Sequence, residues 1–364
     1  MTLNTLKQTP LYQEQVELKA KMTPFGGWEM PLQYQGILAE YEATRRKGTV
    51  FDTSHMGEFL IEGDAVATGL DTIVSQRIQD MPLKTCRYGV ALNEKGGVRD
   101  DLIVYRMQPK RWMIVVNGAT MEKDAQHFEQ HLRDKKSFRN ISFQTGKLDI
   151  QGPLSREILS PLVKGIEKLE YYTFDYFDIM GENAIVSRTG YTGELGYEIY
   201  FPWEKTCELW REILKRGAQP AGLGARDVLR IEMGYSLYGH ELEENIIPLD
   251  AGLERFIDWE KEFIGKAALQ KFQNEGLSRK MVCLVSENRR SPRAEHKIYD
   301  QEKKEIGQIS SGTFSPCLQR GLGLGFVQKP HGPRGEKVFF GDEDGKYVAE
   351  ISTRPVYKEG SLKS

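Results

Sequence analysis

The chain has 364 residues, 39% of them apolar and 10% aromatic, enough to fill packed cores in two or three domains at roughly 100–200 residues each. Lys and Arg number 50 against 52 Asp and Glu, a formal charge of −2, which excludes an overall positive field for nucleic acid or an anionic membrane. The four cysteines, Cys86, Cys207, Cys283 and Cys317, form no C-x-x-C pair, so neither a disulfide framework nor a zinc cluster is indicated, and a reducing cytoplasm is the expected compartment.

Residues 12–22 read as a polar helix, and Pro24-Phe25-Gly26-Gly27-Trp28-Glu29-Met30-Pro31 as a structured loop with aromatic anchors, because glycines and prolines interrupt any helix there. Next come a strand at 58–61, a helix at 65–74, a strand at 88–92, a turn at 93–97, strands at 101–107 and 112–117, and a helix at 120–135. Met121, Ala125, Phe128 and Leu132 recur at helical spacing in the last of these, giving it one buried face. No early stretch has the apolar core of a signal peptide, and no window approaches the ~18 apolar residues of a spanning helix.

A strand at 148–151 runs into a helix opened by Pro153 and continuing to Leu162. Strands near 184–188 and at 197–201 follow, then helices at 203–216, 225–233 and 266–272. Residues 273–278 read as a linker. Beyond it lie six short strands, at 281–286, 297–299, 306–310, 322–327, 338–340 and 347–351, the pattern of a small β-barrel or sandwich.

Three motifs lack the context that their chemistry needs. Gly321-Leu322-Gly323-Leu324-Gly325 resembles a phosphate loop, yet its third glycine comes one residue early and a strand follows it. His240-Glu241-Leu242-Glu243-Glu244 begins like a zinc-protease helix but ends in Glu244, leaving no second histidine. Ser54-His55 stands outside any G-x-S-x-G elbow.

Three constellations remain. In Gly96-Gly97-Val98-Arg99-Asp100-Asp101-Leu102 the paired aspartates point to opposite faces of a strand, and Asp101 shares its face with Ile103 and Tyr105. A carboxylate on an apolar, aromatic face implies a cationic partner or a chemical role. Thr189-Gly190-Tyr191-Thr192-Gly193-Glu194-Leu195-Gly196-Tyr197-Glu198 combines close backbone approach, a ring face for stacking and a carboxylate that accepts paired hydrogen bonds. Ala221-Gly222-Leu223-Gly224-Ala225-Arg226-Asp227 opens a helix with Arg226 in its first turn. That position is unfavourable for a cation, so Arg226 is either paired to Asp227 or reserved for a carboxylate ligand. Together these features ask for a flat heteroaromatic ligand with a carboxylate tail, near an acid.

The same segments, with Phe51-Asp52-Thr53-Ser54-His55-Met56-Gly57-Glu58, Leu237-Tyr238-Gly239 and Ser311-Gly312-Thr313-Phe314-Ser315-Pro316, closely resemble the T-protein family of the glycine cleavage system, the tetrahydrofolate-dependent aminomethyltransferases, over essentially the whole chain. The resemblance implies an α+β fold of three domains in a cloverleaf around a central folate channel. Two are ferredoxin-like or Greek-key α+β domains, 1–50 with 148–275 and 51–147, and the third is a C-terminal β-barrel at 276–364. Carried over position by position, Asp101 is the catalytic aspartate. Met56, Tyr88, Asn117 and Tyr191 line the pterin channel, Glu198 binds the pterin edge, Arg226 meets the benzoyl-glutamate end, and Tyr357 contributes from the C-terminal domain.

The implied reaction releases ammonia from the aminomethyl-lipoyl arm of the H-protein and gives 5,10-methylenetetrahydrofolate, with the P-protein and L-protein in the same cycle, no metal, no nucleic acid and no membrane. The alternative is a non-catalytic folate binder of iron–sulfur cluster assembly, which should lack the aspartate pair present here. Arg99, Ile247 and Asp250 depart from the family pattern, and none is a matched catalytic position. Residues 279–297 carry six Lys or Arg against Glu287 and Glu295, a segment suited to steering an acidic carrier protein.

Overall fold

Gly26 and Gly27 have φ of +56° and +84°, the left-handed pair that a two-residue hairpin turn requires. Strands Lys21–Phe25 and Trp28–Gln33 therefore pair across them, with Phe25 opposite Trp28, where a loop is predicted from sequence. Pro24 and Pro31 fit because each strand of a two-stranded ribbon has an open edge. The preceding helix, Tyr12–Glu17, ends early, and Lys19 turns left-handed at φ 59° before the hairpin. The computed structural model describes residues 5–342 and 345–363.

The predicted helix at 65–74 is two short ones, Ala65–Thr68 and Leu70–Ile73, separated by Gly69 at φ +85°. Asp64 caps the first by accepting from the Val66 and Ala67 amides at 3.0 Å. Helix Met121–His131 stops before Leu132, whose backbone is extended. The helix after Pro153 is the short Ser155–Leu159. Helix Lys266–Glu275 runs further than its periodicity predicts and ends at Gly276, φ +84°, so half of the expected linker is helical.

By contact the chain divides into two units, Met1–Gly89 with Leu102–Arg226 and Gly360–Ser364, and Val90–Asp101 with Asp227–Glu359. The first unit contains a six-stranded sheet in the order Phe174–Ile179, Glu182–Ser187, Gly196–Pro202, Thr145–Gln151, Thr49–Asp52, Gln219–Pro220. One face of that sheet packs Leu148, Ile150, Val186, Tyr197, Ile199 and Phe201 against Leu209, Trp210 and Ile213 of helix Thr206–Lys215. Each such side chain contributes roughly 1.5–3 kcal/mol on full burial. A five-stranded sheet has the order Thr85–Leu92, Val98–Gln108, Arg111–Val116, Gly57–Glu62, Phe138–Asn140. Leu60, Tyr105, Met113 and Val115 of this sheet share a second cluster with Phe174 and Tyr200 of the six-stranded one, so the two sheets face each other across an apolar layer.

In the second unit, strands Arg279–Ser286, Arg320–Gln328, Glu305–Ser315, Lys297–Tyr299, Lys337–Gly341 and Tyr347–Ser352 close into a barrel in that order. Val282, Leu284, Ile298, Ile309, Val338 and Phe340 are among the residues that fill it. The glycines of 321–325 serve strand packing: a Cβ on Gly321 would lie 2.0 Å from the Arg290 carbonyl oxygen, and one on Gly325 would lie 2.5 Å from that of Gln308. The hairpin tip belongs to this unit, with the Val98 amide donating to Ile246 at 2.9 Å and the Asn93 side chain to Glu244 at 3.0 Å. Among the described residues no helix is long and apolar enough to cross a membrane.

Candidate functional site

Strands Thr145–Gln151 and Gly196–Pro202 alternate strictly, so their apolar residues enter the helix-covered core while Lys147, Asp149 and Gln151 share the opposite face with Glu198 and Tyr200. The antiparallel register sets Glu198 opposite Asp149 and Tyr200 opposite Lys147. Such a polar face ordinarily meets water, yet Lys147, Asp149, Gln151 and Glu198 are all buried. Buried charges persist only when paired and hydrogen-bonded, and here they are.

The Lys147 ammonium donates to Glu198 Oε1 at 2.5 Å and to Met56 Sδ at 3.4 Å, and lies 5.6 Å from the centre of the Tyr200 ring. Thr189 Oγ1 donates to Glu198 Oε2. Beyond it a hydroxyl chain runs through Ser187 at 2.7 Å, Tyr105 at 3.1 Å and Tyr200 at 2.9 Å. Arg226 Nη1 donates to Asp149 Oδ2 at 2.6 Å, and its guanidinium lies 5.0 Å from the Tyr191 ring centre and 5.8 Å from that of Phe51. The two ion pairs are joined by Gln151, which donates to Asp149 Oδ1 and the Thr189 carbonyl and accepts from Thr192 at 2.6 Å.

The glycines of 189–198 make room for this junction. A Cβ on Gly190 or Gly196 would fall within about 2.2 Å of the Gln151 amide. The loop is held from outside by Glu194, which accepts from Arg45 at 2.8 Å and from the Ser361 amide at 2.8 Å.

Burial pushes the Glu198 carboxyl up, but the Lys147 charge and hydrogen bonds from Lys147 and Thr189 outweigh it and hold the group below its usual range. Asp149 is raised by burial and by Glu198 across the register, with Arg226 opposing. His55 is pushed down to about 3, first by burial and then by the Arg226 and Lys147 charges, so it is a neutral imidazole at physiological pH. Glu58, fully buried, is driven well above the carboxylate range.

Of the residues singled out by sequence, Met56, Tyr191, Glu198 and Arg226 come together in this one bonded set. Arg226 is paired to Asp149 and not to the adjacent Asp227, which accepts from Arg230 at 2.8 Å. Asn117 directly follows strand Arg111–Val116, and its carbonyl accepts from the Thr120 hydroxyl. A Cβ on the following Gly118 would meet the His55 carbonyl oxygen at 2.4 Å. Tyr88 is half-buried on strand Thr85–Leu92.

Asp101 and Tyr357 fall in the second unit. Asp101 is half-buried beside the fully buried Asp100, and the Tyr357 amide donates to the Glu232 carbonyl at 3.2 Å. Sequence reading missed Lys147, Asp149, Gln151 and Glu58. The available signal was the Lys-Leu-Asp-Ile-Gln alternation directly before Gly152-Pro153, which by itself describes an ordinary solvated strand face.

Comparison with known proteins agrees over the full length. Residues 11–261 match the GCVT N-terminal domain and residues 279–358 the glycine cleavage T-protein C-terminal barrel domain. The aminomethyltransferase of Pseudothermotoga lettingae is 40% identical, covering 99% of this chain and all of that protein. That of Halothermothrix orenii is 39% identical, covering 92% and 95%. The crystal structure of glycine cleavage system aminomethyltransferase T from Bartonella henselae superposes with a TM-score of 0.90 at 29% identity, covering 98% of this chain and 99% of that one. The chain belongs to the glycine cleavage T-protein family of aminomethyltransferases.

Proposed function

We propose that this aminomethyltransferase takes the aminomethyl group from the lipoyl arm of the H-protein, releases ammonia, and passes the one-carbon unit to tetrahydrofolate, giving 5,10-methylenetetrahydrofolate. Its setting would be the cytoplasmic cycle that also includes the P-protein and L-protein. The observation that carries this reading is the buried polar face of two adjacent strands, where Glu198 is paired to Lys147 and Asp149 holds Arg226 of helix Leu223–Met233.

The donor and acceptor set suits the substrate. Glu198 is an ionised carboxylate able to accept from the N–H groups of a pterin edge, and Tyr191 offers a ring face. Arg226 uses one of its five donors on Asp149 and has capacity for the carboxylate tail of a folate. Met56, Tyr88, Asn117 and Tyr357 are the further proposed folate-binding residues. Tetrahydrofolate supplies the nitrogen that accepts the one-carbon unit.

Asp101 is the proposed catalytic carboxylate. The transferred carbon starts bonded to both sulfur and nitrogen, and losing one of them leaves positive charge on it. A fixed carboxylate stabilises that charge and relays the proton of the attacking nitrogen. Its support is chemical: Asp101 is a half-buried carboxylate on a strand face shared with Ile103 and Tyr105, and the reaction calls for a carboxylate beside the carbon that becomes cationic. Asp101→Asn should keep tetrahydrofolate binding and lose about 10²-fold in turnover, measured as ammonia release from aminomethylated H-protein. Near-normal turnover would remove Asp101 from the mechanism.

A further inference from the structure

Glu58 has no part in the reading above, and its surroundings are hostile to an ionised carboxylate. It is completely buried, and neither side-chain oxygen has a hydrogen-bond partner among the described residues. It sits on the same face of strand Gly57–Glu62 as Leu60, opposite Val115, and both of those belong to the apolar layer between the sheets. The charges acting on it are Lys147 and Glu198, from two adjacent strands of the facing six-stranded sheet. The other titratable groups nearby are neutral: Tyr105, Tyr200 and Cys86 are all raised by burial, and His55 is held neutral as well. Asp149 and Arg226 are closed on each other.

Lys147 is anchored unevenly. Its ammonium has one strong acceptor, Glu198 at 2.5 Å, and one weak one, the Met56 sulfur at 3.4 Å. Met56 stands two residues before Glu58 and packs on the same cluster as Leu60. The ammonium thus already reaches from the ligand-facing carboxylate to the segment that carries the unpartnered one.

We propose that Lys147 is a shared counter-ion that passes from Glu198 to Glu58 when a ligand donates to Glu198, with Glu58 releasing its proton to solvent as it receives the ammonium. This rests on the folate reading, with the pterin edge as the donor. The only covalent bond broken is the Glu58 O–H bond; Lys147 remains an ammonium, and nothing is oxidised or reduced. Glu58 acts as a positioning residue: it never touches the ligand, but it takes over the cation that otherwise occupies Glu198 Oε1. The arrangement makes binding pH-linked in a definite direction. One proton leaves per folate bound, so affinity rises about tenfold per pH unit while Glu58 is protonated in the free protein.

The test uses the full chain and tetrahydrofolate under anaerobic conditions. Titration calorimetry in buffers of different ionisation enthalpy counts protons, and an infrared difference spectrum, bound minus free, watches the carbonyl band of a neutral carboxylic acid. The expected result is one proton released and loss of that band in the wild type, with both signals absent in Glu58→Gln, whose folate binding persists without the pH slope. Folate binding with no proton release, or with the acid band unchanged, overturns the exchange and leaves the folate reading intact. Failure of the wild type to bind tetrahydrofolate at all overturns the folate reading and this inference with it.

Discussion

Lys147 and His55 illustrate how one buried ammonium governs its neighbours. By lowering Glu198 it keeps that carboxylate ionised inside an apolar layer, and by the same field it helps drive His55 to about 3. The sign of the resulting pH dependence follows directly. Unfolded His55 takes up a proton as pH falls through 6.5, whereas the folded protein refuses it until about 3, so stability is lost as pH drops across that window. At pH 4.5 the penalty amounts to about 2–3 kcal/mol, at ~1.4 kcal/mol per pH unit. His55→Gln should therefore lose less stability than the wild type between pH 6.5 and 4.5, as read by urea unfolding; parallel curves would mean that His55 is hydrated or paired.

At this scale legibility split by residue type. Tyr191, Glu198 and Arg226 were recognisable because glycines flank them and announce close backbone approach. Lys147 and Asp149 were not, because alternating polar residues look the same whether they face water or a buried charge layer. Only the register with Glu198 tells the two apart.

Glycine has two separable jobs among the elements, and the structure says which positions do which. Gly276 ends helix Lys266–Glu275 at φ +84° with open space around it, whereas Gly97 presses the hairpin tip so closely that a Cβ would lie 1.8 Å from the Glu244 carbonyl oxygen. Gly276→Ala should cost about 1 kcal/mol of backbone strain. Gly97→Ala displaces main chain and should cost about 3 kcal/mol or more, seen as a much larger fall in Tm. Equal losses would mean that the tip does not dock against residue 244. The same distinction explains the sequence reading of the elements. Barrel strands and amphipathic helices were placed by periodicity. The Lys21–Gln33 hairpin was hidden because Gly-Gly between prolines reads as a loop, and it forms a turn only when both glycines adopt positive φ.

For the whole molecule, the near-neutral total hides an uneven distribution. The basic segment 279–297 is largely engaged within its own unit: Arg279 pairs with Asp250 at 2.8 Å and Lys297 with Glu305 at 3.1 Å, while Arg289 and Arg290 lie over Phe314 and Tyr347. The paired members add little net field, and the stacked arginines keep their charge. Docking of an acidic carrier through this segment predicts that the apparent KM for H-protein rises with salt from about 0.05 to 0.2 M, which roughly halves the Debye length. Arg290→Glu should raise KM and flatten its salt dependence, with kcat unchanged. A KM indifferent to both would place carrier docking elsewhere. The sequence could show that the segment was basic, but partners scattered from residue 250 to residue 347 decide how much of that charge is already spent.

The clasp between Ser361 and Glu194 has a consequence for the order of biosynthesis. The residue that ties down the loop carrying Tyr191 is made 167 positions later. At ~5–20 residues per second this is a delay of roughly 8–30 s. The glycine-rich loop of a nascent chain therefore waits, unfastened, until residue 361 has been made and has left the ribosome.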